Sequence, residues 1–150
     1  MIGEKIITSS QKQTKGLGNK LALKLRRGSF VALSGSLGSG KTTLIKGICK
    51  GLGIRELVRS PCFVIMTQYP GKFPVYHFDL YRLKNPEELF TIGYDEYFYG
   101  DGICLVEWAE KAKYLLPERR IDVFLRILSE AEREIEIKEV KPKTQKHKKR

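Results

Sequence analysis

Apolar positions recur along the chain with two periods. Leu17, Leu21, Ala22 and Leu25 return every three or four residues, the spacing of one helix face, and Ser10 stands upstream as a candidate cap. Leu44, Ile45 and Ile48 repeat that spacing within 41–52, a second predicted helix closed by Gly51 or Gly53. Other stretches read as strands. Phe30-Val31-Ala32-Leu33 and Ile103-Cys104-Leu105-Val106 are short continuous apolar runs, as expected of strands covered on both faces. Residues 4–8 predict a short strand, and 63–66 and 75–78 predict a hairpin turning at Pro70-Gly71. Residues 121–128 and 134–140 predict a second hairpin around Ser129-Glu130-Ala131; its last strand sets Ile135, Ile137 and Val140 against Glu134, Glu136 and Lys138. Asn85-Pro86 marks a helix start with proline at the first helical position.

Helices alternate with strands in the first half and strands dominate the second. That order predicts one α/β domain over 1–140: a mixed sheet with a parallel centre, antiparallel hairpin additions and helices on both faces. A length of 150 residues agrees with a single domain. A hydrophobic fraction of 41% beside 30% charged residues is that of a globular chain. No run approaches the roughly 18 apolar residues of a membrane span, and residues 1–10 lack the apolar stretch of a secretory signal. Cys49, Cys62 and Cys104 are odd in number and form no C-x-x-C pair, so three reduced thiols and a cytoplasmic location are expected.

The formal charge is +11, from 28 basic and 17 acidic residues. Residues 141–150 hold six of the basic groups and no acid, so 1–140 carries 22 against 17, or +5. The tail reads either as a solvated, disordered terminus or as an electrostatic arm for RNA or an acidic partner.

Candidate chemistry concentrates in Gly35-Ser36-Leu37-Gly38-Ser39-Gly40-Lys41-Thr42-Thr43, which fits the phosphate-loop pattern G-x-x-x-x-G-K-[ST]. It follows a predicted strand and opens a predicted helix, the context the pattern requires. Glycines let successive backbone N–H groups turn inward on phosphate oxygens, and the helix adds its positive end. Lys41 is placed to reach the β- and γ-phosphates, and the Thr42 hydroxyl to ligate Mg²⁺. Glu107 ends the apolar run 103–106, where a strand-tip carboxylate would stand beside the phosphates and hold the metal directly or through water. Trp108 follows it as a core aromatic or a neighbour of the nucleotide. Asp79, after the run 75–78, is either a plain turn aspartate or an acid that orients attacking water. His77 reads as a packed strand histidine, and Tyr94, Tyr97, Phe98 and Tyr99 as core or a docking patch.

The phosphate loop, Ser60-Pro61-Cys62-Phe63, His77-Phe78-Asp79-Leu80-Tyr81-Arg82-Leu83 and Val106-Glu107-Trp108, in this order, resemble the bacterial TsaE (YjeE) ATPases over most of 5–140. The resemblance implies a compact P-loop fold that binds ATP or ADP with Mg²⁺, hydrolyses ATP weakly alone, and serves the TsaB–TsaD synthase. That synthase places threonylcarbamoyl on adenosine 37 of tRNA. By motif, Lys41 and Thr42 would hold phosphate and metal, and Glu107 would be the metal-side acid. Asp79 would be an essential acid near the γ-phosphate, Trp108 a nucleotide neighbour, and 60–63 a switch-like loop. Two positions depart from the family pattern: Ser36 replaces a usual Asp, and Cys62 a usual Thr. A thiol is a poor Mg²⁺ ligand, so weak basal hydrolysis is expected. Arg82 is a candidate arginine finger, as is a residue from the partner. The rival readings are a small-molecule kinase and a nucleotide-gated RNA- or protein-binding module that does not hydrolyse. Monomeric behaviour or weak self-association is expected, with tRNA met indirectly or through the basic tail.

Overall fold

Seven strands form one sheet in a computed structural model that describes residues 1–61 and 64–143. The elements run β1 (Lys5–Thr8), α1 (Gln11–Ala22), β2 (Phe30–Gly35), α2 (Lys41–Gly51), β3 (Met66–Tyr69) and β4 (Val75–Asp79). A 3-10 segment (Pro86–Ile92), α3 (Tyr94–Phe98), β5 (Ile103–Glu107), a second 3-10 segment (Ala109–Leu115), β6 (Arg120–Ile127) and β7 (Arg133–Val140) follow. Sheet order is β1-β7-β6-β2-β5-β4-β3. β6, β2, β5 and β4 are mutually parallel, and β3, β7 and β1 add antiparallel at the two ends. The predicted mixed sheet is therefore observed.

The parallel strands read as apolar runs because both their faces are covered. One face, through Val31, Leu33, Ile103 and Leu105, packs with Leu17, Leu21, Leu44, Ile45 and Ile48 of α1 and α2. The other, through Phe30, Ala32, Cys104 and Val106, packs with Leu89, Phe98, Ala109 and Ala112 of the short helical segments. Ser10 caps α1 by accepting from the Gln13 N–H at 3.1 Å. Asn85 and Glu88 form a capping box at Pro86, although the segment that follows is 3-10 rather than α.

The first hairpin departs from the sequence expectation. β3 begins at Met66 and uses Thr67-Gln68-Tyr69, whereas the apolar run pointed to 63–66. β3 is an edge strand with a half-exposed face, so apolar density does not mark it. Cys62, Phe63 and residues 144–150 of the basic tail lie outside the described residues. No helix among the described residues is long and apolar enough to cross a membrane.

Burial pushes the Cys49 and Cys104 thiols up to about 12 from an ordinary 9.0, and the Tyr69 phenol up to about 12 from 10.0. The unfolded chain loses these protons first, so stability is present below about pH 9 and is lost as pH rises towards 12. The urea midpoint should therefore fall steadily across that alkaline window. A flat midpoint would show that these groups do not gain protons on folding.

Candidate active site

Parallel register aligns the functional side chains at one edge of the sheet. Leu33 of β2 pairs with Glu107 of β5, and Glu107 pairs in turn with Asp79 of β4. The C-terminal ends of three neighbouring strands thus meet where the chain leaves β2 for the loop 35–40. The strand alternation does the rest. Val75, His77 and Asp79 share one side of β4, and Leu105 and Glu107 the matching side of β5. That side faces α1 and α2, so both acids and the histidine look toward the helix that begins at Lys41.

The loop is built tightly. Gly40 caps α2 in the left-handed region at φ +103°, where an L side chain would be strained. A Cβ on Gly35 would stand 2.5 Å from the Leu125 carbonyl oxygen and 2.6 Å from the Ser39 hydroxyl. Lys41 folds back through the loop and donates to the carbonyls of Gly35 at 2.6 Å and Ser36 at 3.0 Å. Its ammonium lies 4.0 Å from the centre of the Trp108 ring, a cation–π contact. Burial holds the Lys41 ammonium below its usual range, opposed by the charges of Glu107, Glu110 and Asp79. Trp108 is the sole non-glycine residue at positive φ among the described residues, at +58°. Backbone in this region marks a position fixed by its surroundings. Here the Leu80 N–H donates to the Glu107 carbonyl and the Lys111 N–H to the Trp108 carbonyl.

A chain of hydrogen bonds, buried at its centre, runs behind the loop. The Thr42 hydroxyl donates to Glu107 Oε1 at 2.8 Å. Glu107 Oε2 lies 2.7 Å from His77 Nε2, and His77 Nδ1 lies 3.0 Å from the Tyr69 hydroxyl. Tyr69 donates in turn to the Arg59 carbonyl at 3.3 Å. His77 is fully buried and Glu107 is 3% exposed. Asp79, 9% exposed, accepts from the Tyr81 N–H at 3.0 Å and from the Ser60 hydroxyl.

Most of the residues singled out in the sequence line one cleft; Gly35 and Ser36 instead line a neighbouring hollow beside β6, and Ser39 is fully buried. The cleft, of about 480 Å³, is lined by Leu37, Gly38, Gly40, Lys41, Thr42 and Thr43 on one side and by Ser60, Asp79, Glu107 and Trp108 on the other. Tyr81 and Arg82 also line it. The role of His77 was not visible in the sequence. The one available signal was parity: it lies two residues before Asp79 and therefore on the same side of the strand. No local sequence signal marks Arg133 either. From the start of β7 it donates to the Gly38 carbonyl at 3.2 Å, bracing the phosphate loop from 95 residues away.

The model of the threonylcarbamoyl adenosine biosynthesis protein TsaE matches residues 8–135. The chain belongs to the TsaE family. It is 40% identical over 131 residues to the TsaE protein of Treponema pallidum, covering 87% of this chain and 97% of that one. It is 41% identical over 129 residues to the TsaE protein of Bacillus subtilis, covering 85% and 80%. The crystal structure of Bacillus subtilis YdiB superposes with a TM-score of 0.75 at 38% identity, covering 88% of this chain and 82% of that one. Membership places the protein among those of tRNA threonylcarbamoyladenosine biosynthesis. Of the segments that resemble the family, Leu37, Gly38 and residues 40–43 of the phosphate loop, Ser60, Asp79, Tyr81, Arg82 and the Glu107-Trp108 pair line the cleft.

Proposed function

We propose that the protein is an ATPase subunit that binds ATP with Mg²⁺ and hydrolyses it in support of a TsaB–TsaD-like synthase acting on tRNA. The observation that carries this reading is the Thr42–Glu107 hydrogen bond at the mouth of a glycine loop closed by Lys41. The hydroxyl and carboxylate are both hard oxygen donors, the chemistry Mg²⁺ prefers, and they converge from the helix and the strand tip. The donor set therefore fits this cation, with Thr42 and Glu107 as the residues that would hold it. When bound, Mg²⁺ would neutralise charge on the β- and γ-phosphate oxygens.

The chain's own groups account for the rest. Loop amides and the α2 N-terminus offer N–H donors to phosphate, and Lys41 exchanges its carbonyl partners for phosphate oxygens. Asp79, held as an acceptor by the Tyr81 N–H and the Ser60 hydroxyl, faces the cleft and would orient the attacking water. That water forms a new O–P bond as the bond to the β–γ bridging oxygen breaks, leaving ADP and phosphate. Catalysis of this kind rests on positioning and charge neutralisation. Trp108, stacked beside Lys41, would report on the occupied site.

The test is ATP hydrolysis with Mg²⁺, alone and with a TsaB–TsaD pair, with Lys41→Ala as the blank. Slow turnover is expected alone, faster turnover with the pair, and a loss of about 10²-fold or more in the variant. Binding without turnover in both conditions would overturn the ATPase reading and leave a nucleotide-gated scaffold.

A further inference from the structure

Two consecutive residues reach both acids of the cleft. Arg59 and Ser60 lie in the segment between α2 and β3. The Ser60 hydroxyl donates directly to Asp79 Oδ2. The Arg59 carbonyl accepts from the Tyr69 hydroxyl at 3.3 Å, and that hydroxyl lies 3.0 Å from His77 Nδ1. The other nitrogen of His77 lies 2.7 Å from Glu107 Oε2. Asp79 and Glu107 are register partners on β4 and β5. One short stretch of chain therefore holds one acid at first hand and the other through two side chains.

Tyr69 makes the second route. β3 is an edge strand, and Tyr69 is its one buried residue. In the antiparallel register Thr67 pairs with His77 and Tyr69 with Val75, so Tyr69 and His77 are diagonal neighbours on one side of the sheet. Such neighbours stand about 7–8 Å apart, a gap that a long aromatic side chain spans. The two rings are tilted at 42° with centroids 5.9 Å apart, and they meet through the hydroxyl rather than by stacking. The Tyr69 ring belongs to the core cluster that holds Ile54, Val58 and Val75, where a phenylalanine would fill the same space. Burying a hydroxyl costs free energy unless it is hydrogen-bonded, and here both of its partners lead to the cleft acids. Core packing accounts for the ring and leaves the hydroxyl to another role.

We propose that Tyr69 is a positioning residue that couples the 59–60 segment to the metal-side acid. Its hydroxyl fixes the His77 ring relative to the Arg59 carbonyl, and the ring in turn fixes Glu107, whose other oxygen receives the Thr42 hydroxyl. Because Ser60 holds Asp79, a displacement of residues 59–60 releases both acids together. The segment thereby sets the water-orienting acid and the metal-side acid as one unit. This rests on the ATPase reading and adds to it the element to which the two acids answer.

The experiment compares the full chain with Tyr69→Phe, His77→Gln and the double variant. The first readout is trypsin cleavage of the Arg59–Ser60 bond without nucleotide. Arg59 is exposed, and the carbonyl of that bond is the one Tyr69 holds. Cleavage there, relative to the other lysine and arginine sites, should rise about fivefold in Tyr69→Phe, the opening expected from one lost hydrogen bond. It should rise at least about twofold in His77→Gln, because the hydroxyl loses its inner partner. The second readout is ATP hydrolysis with Mg²⁺. Tyr69→Phe should lower kcat about fivefold while KM and the nucleotide affinity in EDTA stay within about twofold. In the His77→Gln background the same change should alter kcat by less than about twofold. Unchanged cleavage at Arg59 in either single variant would overturn the coupling. An equal loss of kcat on both backgrounds would do the same, since Tyr69 would then act apart from His77. Cleavage that rises equally at every site, or a metal-free affinity that falls with kcat, would make Tyr69 a packing residue instead. Absent hydrolysis in the unaltered chain would overturn the ATPase reading alone, and the cleavage comparison would still decide whether Tyr69 joins the segment to His77.

Discussion

Glu107→Gln should lower ATP hydrolysis by about 10²-fold while leaving nucleotide affinity in EDTA within a few-fold of the unaltered protein. The substitution keeps the size and an acceptor oxygen for the Thr42 hydroxyl, which Glu107 Oε1 receives at 2.8 Å. It removes the charge and turns an amide toward either Thr42 or His77. If Glu107 acts through the metal, the loss appears in kcat and in the Mg²⁺ concentration that half-saturates the rate, and not in metal-free binding followed by Trp108 fluorescence. His77→Gln should show the same signature more weakly, about 10-fold, because His77 acts by holding Glu107 Oε2 at 2.7 Å. Unchanged turnover in Glu107→Gln would remove that carboxylate from the mechanism. An equal loss of metal-free nucleotide binding would make its role structural.

How much of this site could be read from the chain depended on how local each signal was. The phosphate loop is contiguous, and the strand before it and the helix after it are apolar runs of the right period, so its position and context were legible. Glu107 was legible for a related reason: a charge that ends a buried run must stand at a strand tip. For Asp79 the residues alone leave two readings, a turn aspartate or an acid that orients water, and the essential role near the γ-phosphate comes from the family resemblance. His77 was the hardest. A histidine in an apolar row looks like packing until β4 is known to lie beside β5, and that pairing sets its ring against Glu107. The Arg133 contact with Gly38 spans the chain and has no local signature. β3 departs from expectation for the opposite reason: the apolar residues before it suggest a strand, while the edge strand itself is polar enough to pass for loop.

Glycines within the helices carried the least information in the sequence and the most in the structure. Two Gly→Ala changes, both within helices, should move stability in opposite directions. Gly47 of α2 lies against α1, and a Cβ there would stand 2.2 Å from the Lys15 carbonyl oxygen; Gly18 returns the contact at 2.5 Å from the Leu44 carbonyl oxygen. Alanine is the better helix former by about 1 kcal/mol, which alone would favour the change. The obstacle is backbone rather than the end of a flexible side chain, so the helices must separate, and overpacking of this kind costs about 1–3 kcal/mol or more. The steric cost exceeds the propensity gain, and Gly47→Ala should lower the urea midpoint. It should also weaken nucleotide binding, because α2 carries Lys41 and Thr42 at its start. Gly16 sits in α1 with nothing within 4 Å of where its Cβ would be. There only the propensity acts, and Gly16→Ala should raise stability by about 0.5–1 kcal/mol. Midpoints that rise in both variants would show that the two helices do not meet through their backbones, and would withdraw the packing that fixes the phosphate loop against the sheet.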